Sequence, residues 1–255
     1  MLMRAVARDV VLPRYQKLAD NEISEKAPGD IVTIVDRESE RRLADGLAKI
    51  LPEARIVGEE GCAEDPALLD TLGEGMVWLI DPLDGTANFS EGKMPFALMV
   101  ALIAEGETRM GWILDPMTPR LCFAAAGRGA YVNGDRVSSR AGIKSPPVAA
   151  IGLYFMDDGQ RRDIAERAEG TLEIVTIPRC AGEQYPRLAL GQNDISLFAR
   201  TLPYDHAAGA LFLEEAGGRT AWADGTPYQV TDRSPNLLSA ATPGLWDRAA
   251  EILFG

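Results

Sequence analysis

The spacing of hydrophobic and polar residues divides the chain into three stretches with different patterns. In the first stretch, apolar residues recur at helical spacing. This predicts an amphipathic helix over residues 1–25, kinked at Pro13, and a second helix over residues 33–50. The segment EKAPGD between them has the composition of a loop. The chain is therefore expected to begin with two helices.

The second stretch has the pattern of β-strands. The segment ARIVGEEG predicts a short strand that ends in an acidic pair, and the continuous apolar run in GMVWLIDPLDG predicts a strand buried on both faces. Between residues 96 and 137, apolar segments are separated by tight-turn signals, which is typical of an antiparallel meander.

After a loop rich in Gly, Pro and Ser near residue 145, strands and helices alternate, which favours a layered α/β arrangement. We therefore predict an N-terminal α+β subdomain over residues 1–145 and a C-terminal α/β subdomain over residues 146–255, packed as one structural unit. The elements predicted in the second are strands 148–154, 172–177, 194–199, 219–223 and 237–241, and helices 158–169, 182–191, 205–216 and 243–254.

Composition narrows the choice of partners and compartment. The net charge of −12 over 255 residues leaves no basic stretch that could neutralise phosphates, so nucleic acid is not expected as a partner. Three widely separated cysteines without CxxC spacing indicate neither a disulfide framework nor a zinc site. The charged first residues do not form a signal peptide, and the longest apolar run is too short to cross a bilayer. A cytoplasmic protein with no membrane partner is expected.

Several acidic residues stand at the ends of predicted elements instead of on polar helix faces. Taken singly, each is most simply a solvated acid. If they converge, they cannot all stay ionised without cations, because neighbouring like charges raise one another's pKa. Oxygen ligands in a chain with a single histidine suit Mg²⁺ or Mn²⁺ better than zinc. These acids are Asp36, Glu59, Asp81, Asp84 and Asp205.

The segment DPLDGT indicates how such a site could be built. Its proline turns the chain, so that the carboxylates of Asp81 and Asp84 need not diverge as they would along a regular strand. Between them, Leu83 can offer its carbonyl as a further oxygen ligand. Gly85 lets the backbone approach a ligand closely, and the amides of Gly85 and Thr86 can then donate to a phosphate.

A phosphatase that forms an aspartyl-phosphate is the alternative reading of this segment. Haloacid-dehalogenase enzymes also place two aspartates after an apolar strand, but the two are separated by one residue, and the second works as the acid/base. Here the residue two positions after Asp81 is Leu83, which carries no titratable group. The spacing therefore disfavours a covalent aspartyl-phosphate mechanism.

The sequence resembles the inositol monophosphatase family of Mg²⁺-dependent, lithium-sensitive phosphomonoesterases. Residues 81–89 match every fixed position of the family motif Asp-Pro-x-Asp-Gly-Thr-x-Asn-Phe, and YDHAAG followed by EAGG matches a second. DIVTIVD and VGEEG match two further blocks in the expected order. The resemblance spans nearly the whole chain. It implies a layered αβαβα sandwich of the inositol monophosphatase and fructose-1,6-bisphosphatase type, and a homodimer.

The resemblance also implies two or three metal ions per site, carried onto matching positions of this sequence. Glu59, Asp81 and the carbonyl of Leu83 would hold the first Mg²⁺. Asp81, Asp84 and Asp205 would hold the second. A third, weaker ion would depend on Glu59 and water. Most ligands would thus come from the N-terminal subdomain, and Asp205 from the C-terminal one.

Catalytic roles follow from the same resemblance. Thr86, hydrogen-bonded to Asp36, would orient the attacking water and help to deprotonate it, with Glu59 as the third catalytic residue. The amides of Gly85 and Thr86 would bind the phosphate. Lys26 resembles a family lysine near the entrance of the site, one residue out of register.

The residues expected around the alcohol part of the substrate depart from the family pattern. Phe198 stands where inositol-specific members have a glutamate that grips hydroxyls, and Glu183 and Gln184 stand where smaller residues are common. With Arg200, these residues are predicted to bind substrate. They predict relaxed action on small phosphate monoesters, with histidinol phosphate, fructose 1,6-bisphosphate and 3′-phosphorylated nucleotides as alternatives to inositol phosphate. A regulatory or binding protein on a phosphatase fold is the alternative of another class.

Overall fold

The computed structural model describes residues 2–27 and 30–255. The first helical segment runs through α1 (Leu2–Val6), a π-helical turn (Ala7–Val11) and α2 (Leu12–Arg14). It ends there because Gln16 adopts a left-handed backbone conformation, with a φ of 59°. The prediction of one helix to residue 25 is therefore wrong.

A 3₁₀ turn (Asp20–Glu22) and a hairpin of β1 (Ile23–Ala27) and β2 (Asp30–Thr33) follow this helical segment. The predicted loop partly coincides with this hairpin, and its residues 28 and 29 lie outside the described residues.

The next part of the chain forms a seven-stranded sheet in strict sequence order, β3 to β9. The strands β3 and β4 are parallel, and every later neighbouring pair is antiparallel, as the predicted meander requires. The elements are α3 (Ile34–Ile50), β3 (Arg55–Gly58), α4 (Glu59–Glu64), a 3₁₀ helix (Pro66–Gly73), β4 (Met76–Asp84), α5 (Thr86–Ser90), β5 (Ala97–Ala104), β6 (Glu107–Asp115), β7 (Arg120–Ala125), β8 (Gly129–Val132) and β9 (Asp135–Val137).

The remaining strands form a five-stranded mixed sheet in the order β11-β10-β12-β14-β13. The division predicted at residue 145 falls between the last strand of the first sheet and the first strand of the second, and it stays a prediction. The elements are β10 (Val148–Ile151), a 3₁₀ turn (Leu153–Phe155), α6 (Asp158–Ala168), β11 (Glu173–Thr176), α7 (Ala181–Ala189), β12 (Ile195–Phe198), α8 (Pro203–Glu215), β13 (Arg219–Trp222), β14 (Leu237–Ala240) and α9 (Pro243–Phe254).

Three hydrophobic cores hold five layers together, and the first of them extends to both sides of the central helices α7 and α8. One face of the seven-stranded sheet packs against α1, the π-helical turn and α3, and its other face packs against α7 and α8. The second sheet lies beyond α7 and α8, and its far face is covered by α6 and α9. The predicted αβαβα sandwich is confirmed. Within residues 2–27 and 30–255, no helix is long and apolar enough to cross a membrane.

The central helix α8 is apolar on nearly every side because it lies between two sheets. Residues 206–213 of this helix are all buried. Its neighbour α7 approaches so closely that a Cβ atom on Gly209 would lie 2.0 Å from the ring of Tyr185. This packing fixes the N-terminus of α8, and with it Asp205, relative to the end of β4.

Candidate active site

A β-bulge at the end of β4 brings its two aspartates together. Asp81 pairs with Met99 and Asp84 pairs with Ala97. Between these two pairs, β4 advances by three residues and β5 by two. Successive strand residues face opposite sides, and one extra residue therefore returns Asp84 to the side that Asp81 occupies. The backbone amide of Leu83 donates to Asp81 Oδ1 at 3.1 Å. The expected convergence of this pair thus has a definite backbone cause.

The backbone geometry directly after the bulge requires a glycine at position 85. Its φ of 86° lies in the left-handed region, and an added Cβ would lie 2.9 Å from the carbonyl oxygen of Pro95. The turn starts α5, so that Thr86 begins the helix. The amides of Gly85 and Thr86 are therefore held beside the carboxylates of β4, where both residues line the cavity.

The hydroxyl of Thr86 lies 2.8 Å from two acceptors, Asp36 Oδ1 and the carbonyl oxygen of Leu83. A hydroxyl has one proton and can donate to only one of them at a time. The other oxygen of Asp36 accepts from the backbone amide and the hydroxyl of Thr33, which caps α3. Burial raises the pKa of Asp36 to about 6, although these hydrogen bonds lower it.

Glu59 is the first residue of α4 and packs beside Lys26. The Lys26 ammonium lies 3.1 Å from Glu59 and 2.5 Å from Glu60. Burial lowers the pKa of Lys26, but the charges of the two glutamates outweigh burial and raise it. Glu40 on α3 accepts the backbone amides of Glu60 and Gly61 and so anchors the start of α4. Glu40 was not identified from the sequence, whereas Lys26 was named only as a residue near the entrance of the site.

Asp84 and Asp205 depend on helices of the second half of the chain. The backbone amide of Gly182, in the first turn of α7, donates to Asp84 Oδ2 at 2.6 Å. One oxygen of Asp84 therefore holds α7, a structural role that the sequence did not reveal. Asp205 lies in the first turn of α8, where the helix dipole favours a carboxylate.

One cavity of about 180 Å³ is lined by the acids of all these elements, Glu59, Asp81, Asp84 and Asp205. Burial raises the pKa of Asp81 well above its usual value, and the charges of Glu59, Asp84 and Asp205 add to this rise. Burial and neighbouring acids likewise raise the pKa of Glu59, against the effect of Lys26. In residues 2–27 and 30–255, however, no three His, Cys, Asp or Glu side chains are already gathered tightly enough to hold a metal.

The opposite wall of the cavity is apolar and cationic. Phe198 and Arg200, two of the residues predicted to bind substrate, line it together with the exposed aromatic residues Tyr154 and Phe155. Neither aromatic ring was predicted from the sequence. Their signal was a pair of large aromatic residues directly after an apolar strand, where solvated turn residues are usual. The other residues of this wall are Gly152, Ile177, Arg179 and Ala199.

Glu183 and Gln184 do not line this cavity, which corrects their assignment as substrate contacts. Both residues belong to α7, and helix geometry turns their side chains away from the wall. Glu183 forms ion pairs with Arg120 and Arg187 at 2.5 and 2.7 Å. Gln184 is fully buried and accepts from Asn193 at 3.1 Å. Neither side chain contacts the space where a substrate would lie.

His206 follows Asp205 and belongs to the lining of the cavity, although it is buried. The hydroxyl of Tyr185 lies 3.0 Å from its Nδ1, and the ring of Phe198 packs against it at 4.7 Å. Burial lowers the pKa of His206 to about 4, so the imidazole is neutral at pH 7. His206 is therefore a buried packing residue and not a charged group of the site.

Comparison with known proteins places the chain among the phosphatases. The profile of the Inositol monophosphatase family matches residues 2–252, and the chain belongs to this family. It is 32% identical over 208 residues to the inositol-1-monophosphatase of Bacillus subtilis, covering 79% of this chain and 76% of that protein. It is also 31% identical over 232 residues to the Nus factor SuhB of Pseudomonas aeruginosa, covering 83% of this chain and 79% of the relative.

A solved structure of an IMPase from Thermotoga maritima has the same fold. It superposes with a TM-score of 0.82 at 28% identity and covers 99% of this chain and 93% of that one. The family and its named relatives together indicate a phosphatase on this fold.

Proposed function

We propose that this protein is a Mg²⁺-dependent phosphate monoesterase that hydrolyses small phosphorylated alcohols by direct attack of water. The observation that carries the proposal is the convergence of four carboxylates on the cavity that also contains the turn Gly85–Thr86. Acids alone would repel a phosphate ester. Cations between the carboxylates and the phosphate would remove this repulsion and allow the ester to bind.

The donor set fits Mg²⁺, or Mn²⁺, because it consists of oxygen atoms. Buried carboxylates that raise one another's pKa are stabilised as anions when a cation neutralises them. Glu59, Asp81 and the Leu83 carbonyl would hold one ion. Asp81, Asp84 and Asp205 would hold a second, and Glu59 with water would hold a third.

The bound ions would acidify a water molecule and neutralise charge on the phosphate oxygens. The chain's own residues orient the reacting groups. When Thr86 donates its proton to Asp36, its hydroxyl oxygen is left as an acceptor for a proton of the attacking water. The buried Asp36 carboxylate, held by Thr33, keeps Thr86 in this orientation. The amides of Gly85 and Thr86 donate to the phosphate.

A direct displacement is supported by the residue two positions after Asp81, where a phosphatase that forms an aspartyl-phosphate carries its acid/base. The side chain of Leu83 is apolar and fully buried, and it cannot assist attack by Asp81. No phosphoprotein is therefore expected when a single turnover is quenched in acid. A phosphoprotein sensitive to hydroxylamine would instead indicate an aspartyl-phosphate.

The apolar character of the wall formed by Phe198 and its neighbours supports relaxed choice among small monoesters. A wall without paired polar groups discriminates weakly between alcohols, whereas one built to bind hydroxyls discriminates strongly. We expect inositol 1-phosphate to be one substrate among several. A preference for it above about a hundredfold over glycerol 2-phosphate would contradict this expectation.

A regulatory role is the second candidate, and the similarity to a Nus factor favours it. The deciding experiment is release of phosphate by purified protein with Mg²⁺ from a panel of monoesters. Turnover that EDTA abolishes and Li⁺ inhibits supports the enzyme. No turnover on any ester, by protein that still binds Mg²⁺ in calorimetry, supports the regulatory role. The proposed homodimer is tested by analytical ultracentrifugation of the same preparation.

A further inference from the structure

We propose that Tyr185 and His206 are positioning residues. They hold the wall segment of the cavity, residues 198–200, and through it they influence which alcohols the site accepts. The part of this inference that concerns alcohols rests on the proposed phosphatase function, whereas the part that concerns the wall segment does not. Neither residue takes part in a chemical step.

The wall segment begins at the end of a strand and leads into the helix that carries Asp205. Phe198 is the last residue of β12, and all three residues of the segment line the cavity. The next residue, Thr201, donates its hydroxyl to the carbonyl of Ser234 at 2.6 Å, which anchors the chain beyond the segment. The position of the segment itself depends on the side chains that lie behind it.

Tyr185 and His206 lie directly behind the wall segment and contact both of its ends. The ring of Phe198 stacks on that of Tyr185 with the centroids 5.5 Å apart, and it meets the ring of His206 edge to face at 4.7 Å. At the other end of the segment, the His206 ring donates to the backbone carbonyl of Arg200. The pair therefore holds the segment by packing at one end and by a hydrogen bond at the other.

The hydroxyl of Tyr185 determines which nitrogen of His206 is the donor. It lies 3.0 Å from Nδ1 of the buried ring. A neutral imidazole has one N–H group, so Nε2 carries the proton that is donated to Arg200, and Nδ1 accepts from the hydroxyl. Without the hydroxyl, Nδ1 would be a buried acceptor with no donor, and a proton on Nδ1 would leave the Arg200 carbonyl unpaired.

The hydrogen bonds behind Tyr185 continue into the five-stranded sheet. Ser239 on β14 donates to the phenolic oxygen, and the hydroxyl of Thr220 on β13 lies 3.1 Å from that of Ser239. Because the phenolic oxygen accepts from Ser239, its own proton is available for His206. Gly209 leaves room for the Tyr185 ring, since a Cβ atom there would lie 2.0 Å from it. A chain of donors thus runs from the sheet to the wall segment.

The variant Tyr185→Phe tests the role of the hydroxyl, because it removes one oxygen and keeps the ring that packs on Phe198. Ethyl phosphate and cyclohexylmethyl phosphate both release a primary alcohol, but only the second carries a ring to place against the wall segment. We expect the cyclohexylmethyl-to-ethyl ratio of kcat/KM to fall about fivefold in Tyr185→Phe, mainly through KM. The reason is that binding of the larger alcohol must then order a segment that the hydrogen bond ordered in advance.

Two variants of His206 test the donor. Glutamine can place an amide N–H near the position of Nε2, whereas asparagine is too short to reach the Arg200 carbonyl. His206→Gln should therefore lower the ratio less than His206→Asn does. The matched control is Tyr131→Phe, which removes a hydroxyl that donates to the Arg128 carbonyl at 3.0 Å outside the cavity and should keep the wild-type ratio. Each result is a ratio within one preparation, so partial loss of folded protein does not affect it.

Hydrogen exchange of the metal-free protein gives a readout that does not depend on activity. At labelling times at which the amides of β5, residues 97–104, remain protected, the amides of residues 199–206 should exchange about fivefold faster in Tyr185→Phe than in the wild type. Tyr131→Phe should leave the exchange of residues 199–206 unchanged.

The outcomes separate this inference from the proposed function. An unchanged ratio in Tyr185→Phe, equal ratios in the two His206 variants, or unchanged exchange of residues 199–206 would each overturn the inference while the phosphatase proposal stands. If the wild type hydrolyses no ester, including glycerol 2-phosphate, the phosphatase proposal fails together with the influence on alcohols. The exchange of residues 199–206 then decides whether the pair holds the wall segment.

Discussion

Replacement of Asp36 by Asn tests two consequences of the buried carboxylate, its contribution to catalysis and its effect on the stability of the folded protein. The side chain is fully buried in α3, accepts from Thr33 through one oxygen and from Thr86 through the other, and is nearly isosteric with asparagine. We expect Asp36→Asn to reduce kcat by about 10² to 10⁴, the usual contribution of acid–base assistance, because Thr86 loses its anionic acceptor. The same change should alter how stability depends on pH.

The size of the expected change in stability follows from the pKa of Asp36. In the metal-free protein, burial raises the pKa of Asp36 from 3.8 to about 6. The folded state therefore binds this proton more tightly than the unfolded state. The resulting stability is fully present below pH 3.8 and is lost as the pH rises through 6. The full difference corresponds to about 3 kcal/mol, and roughly 1 kcal/mol of it disappears between pH 5 and pH 8.

Urea unfolding at pH 5 and pH 8 in EDTA measures this effect. The free energy of unfolding of the wild type should fall between the two pH values by roughly 1 kcal/mol more than that of Asp36→Asn, because asparagine does not titrate. Asp45→Asn, on the exposed side of the same helix, is the control and should retain the wild-type pH dependence and activity. Equal pH dependence in wild type and Asp36→Asn would refute the reasoning.

Three further substitutions test other parts of the structure. Asp84→Asn should lower Mg²⁺-dependent turnover by more than the roughly hundredfold that loss of an outer-shell partner costs, and near-normal rates at saturating Mg²⁺ would contradict its role as a ligand. Lys26→Met should destabilise the metal-free protein at pH 7 by about 3 kcal/mol in urea unfolding, because buried Glu59 and Glu60 lose their cation; an unchanged midpoint would contradict this. Gly209→Ala should cost about 1–3 kcal/mol in the same assay because its methyl group meets Tyr185, whereas Gly244→Ala, with open space around it, should change stability by less than about 0.5 kcal/mol.

Most of the fold could be predicted because the period of the apolar residues reports local structure directly. The helix over residues 34–50 and the strands of the meander lie within a few residues of their predicted positions. The acidic cluster could be predicted as well, because the bulge that gathers Asp81 and Asp84 is signalled by their spacing and the proline between them. These features depend on residues close together in the chain.

The predictions that failed concern contacts between residues far apart in the chain. Glu183 is turned away from the cavity by Arg120, 63 positions earlier, and Gln184 is held by Asn193 in the core. No local pattern reveals which side of α7 faces the substrate. The helix predicted to residue 25 likewise failed because the segment after Arg14 is held by tertiary contacts, such as that of the Tyr15 hydroxyl with the Gly92 carbonyl at 2.9 Å.

The two walls of the cavity stand on different sheets. Glu59, Asp81 and Asp84 belong to the end of the seven-stranded sheet, whereas Tyr154, Phe155 and Phe198 follow or end strands of the five-stranded sheet. Substitutions in the second group leave the supports of the first untouched. An evolving lineage can therefore exchange the alcohol it accepts while it keeps the machinery that breaks the ester. Asp205 and the Asp84–Gly182 contact join the two sheets. Substitutions at these residues would therefore change the choice of alcohol and the hydrolysis of the ester together.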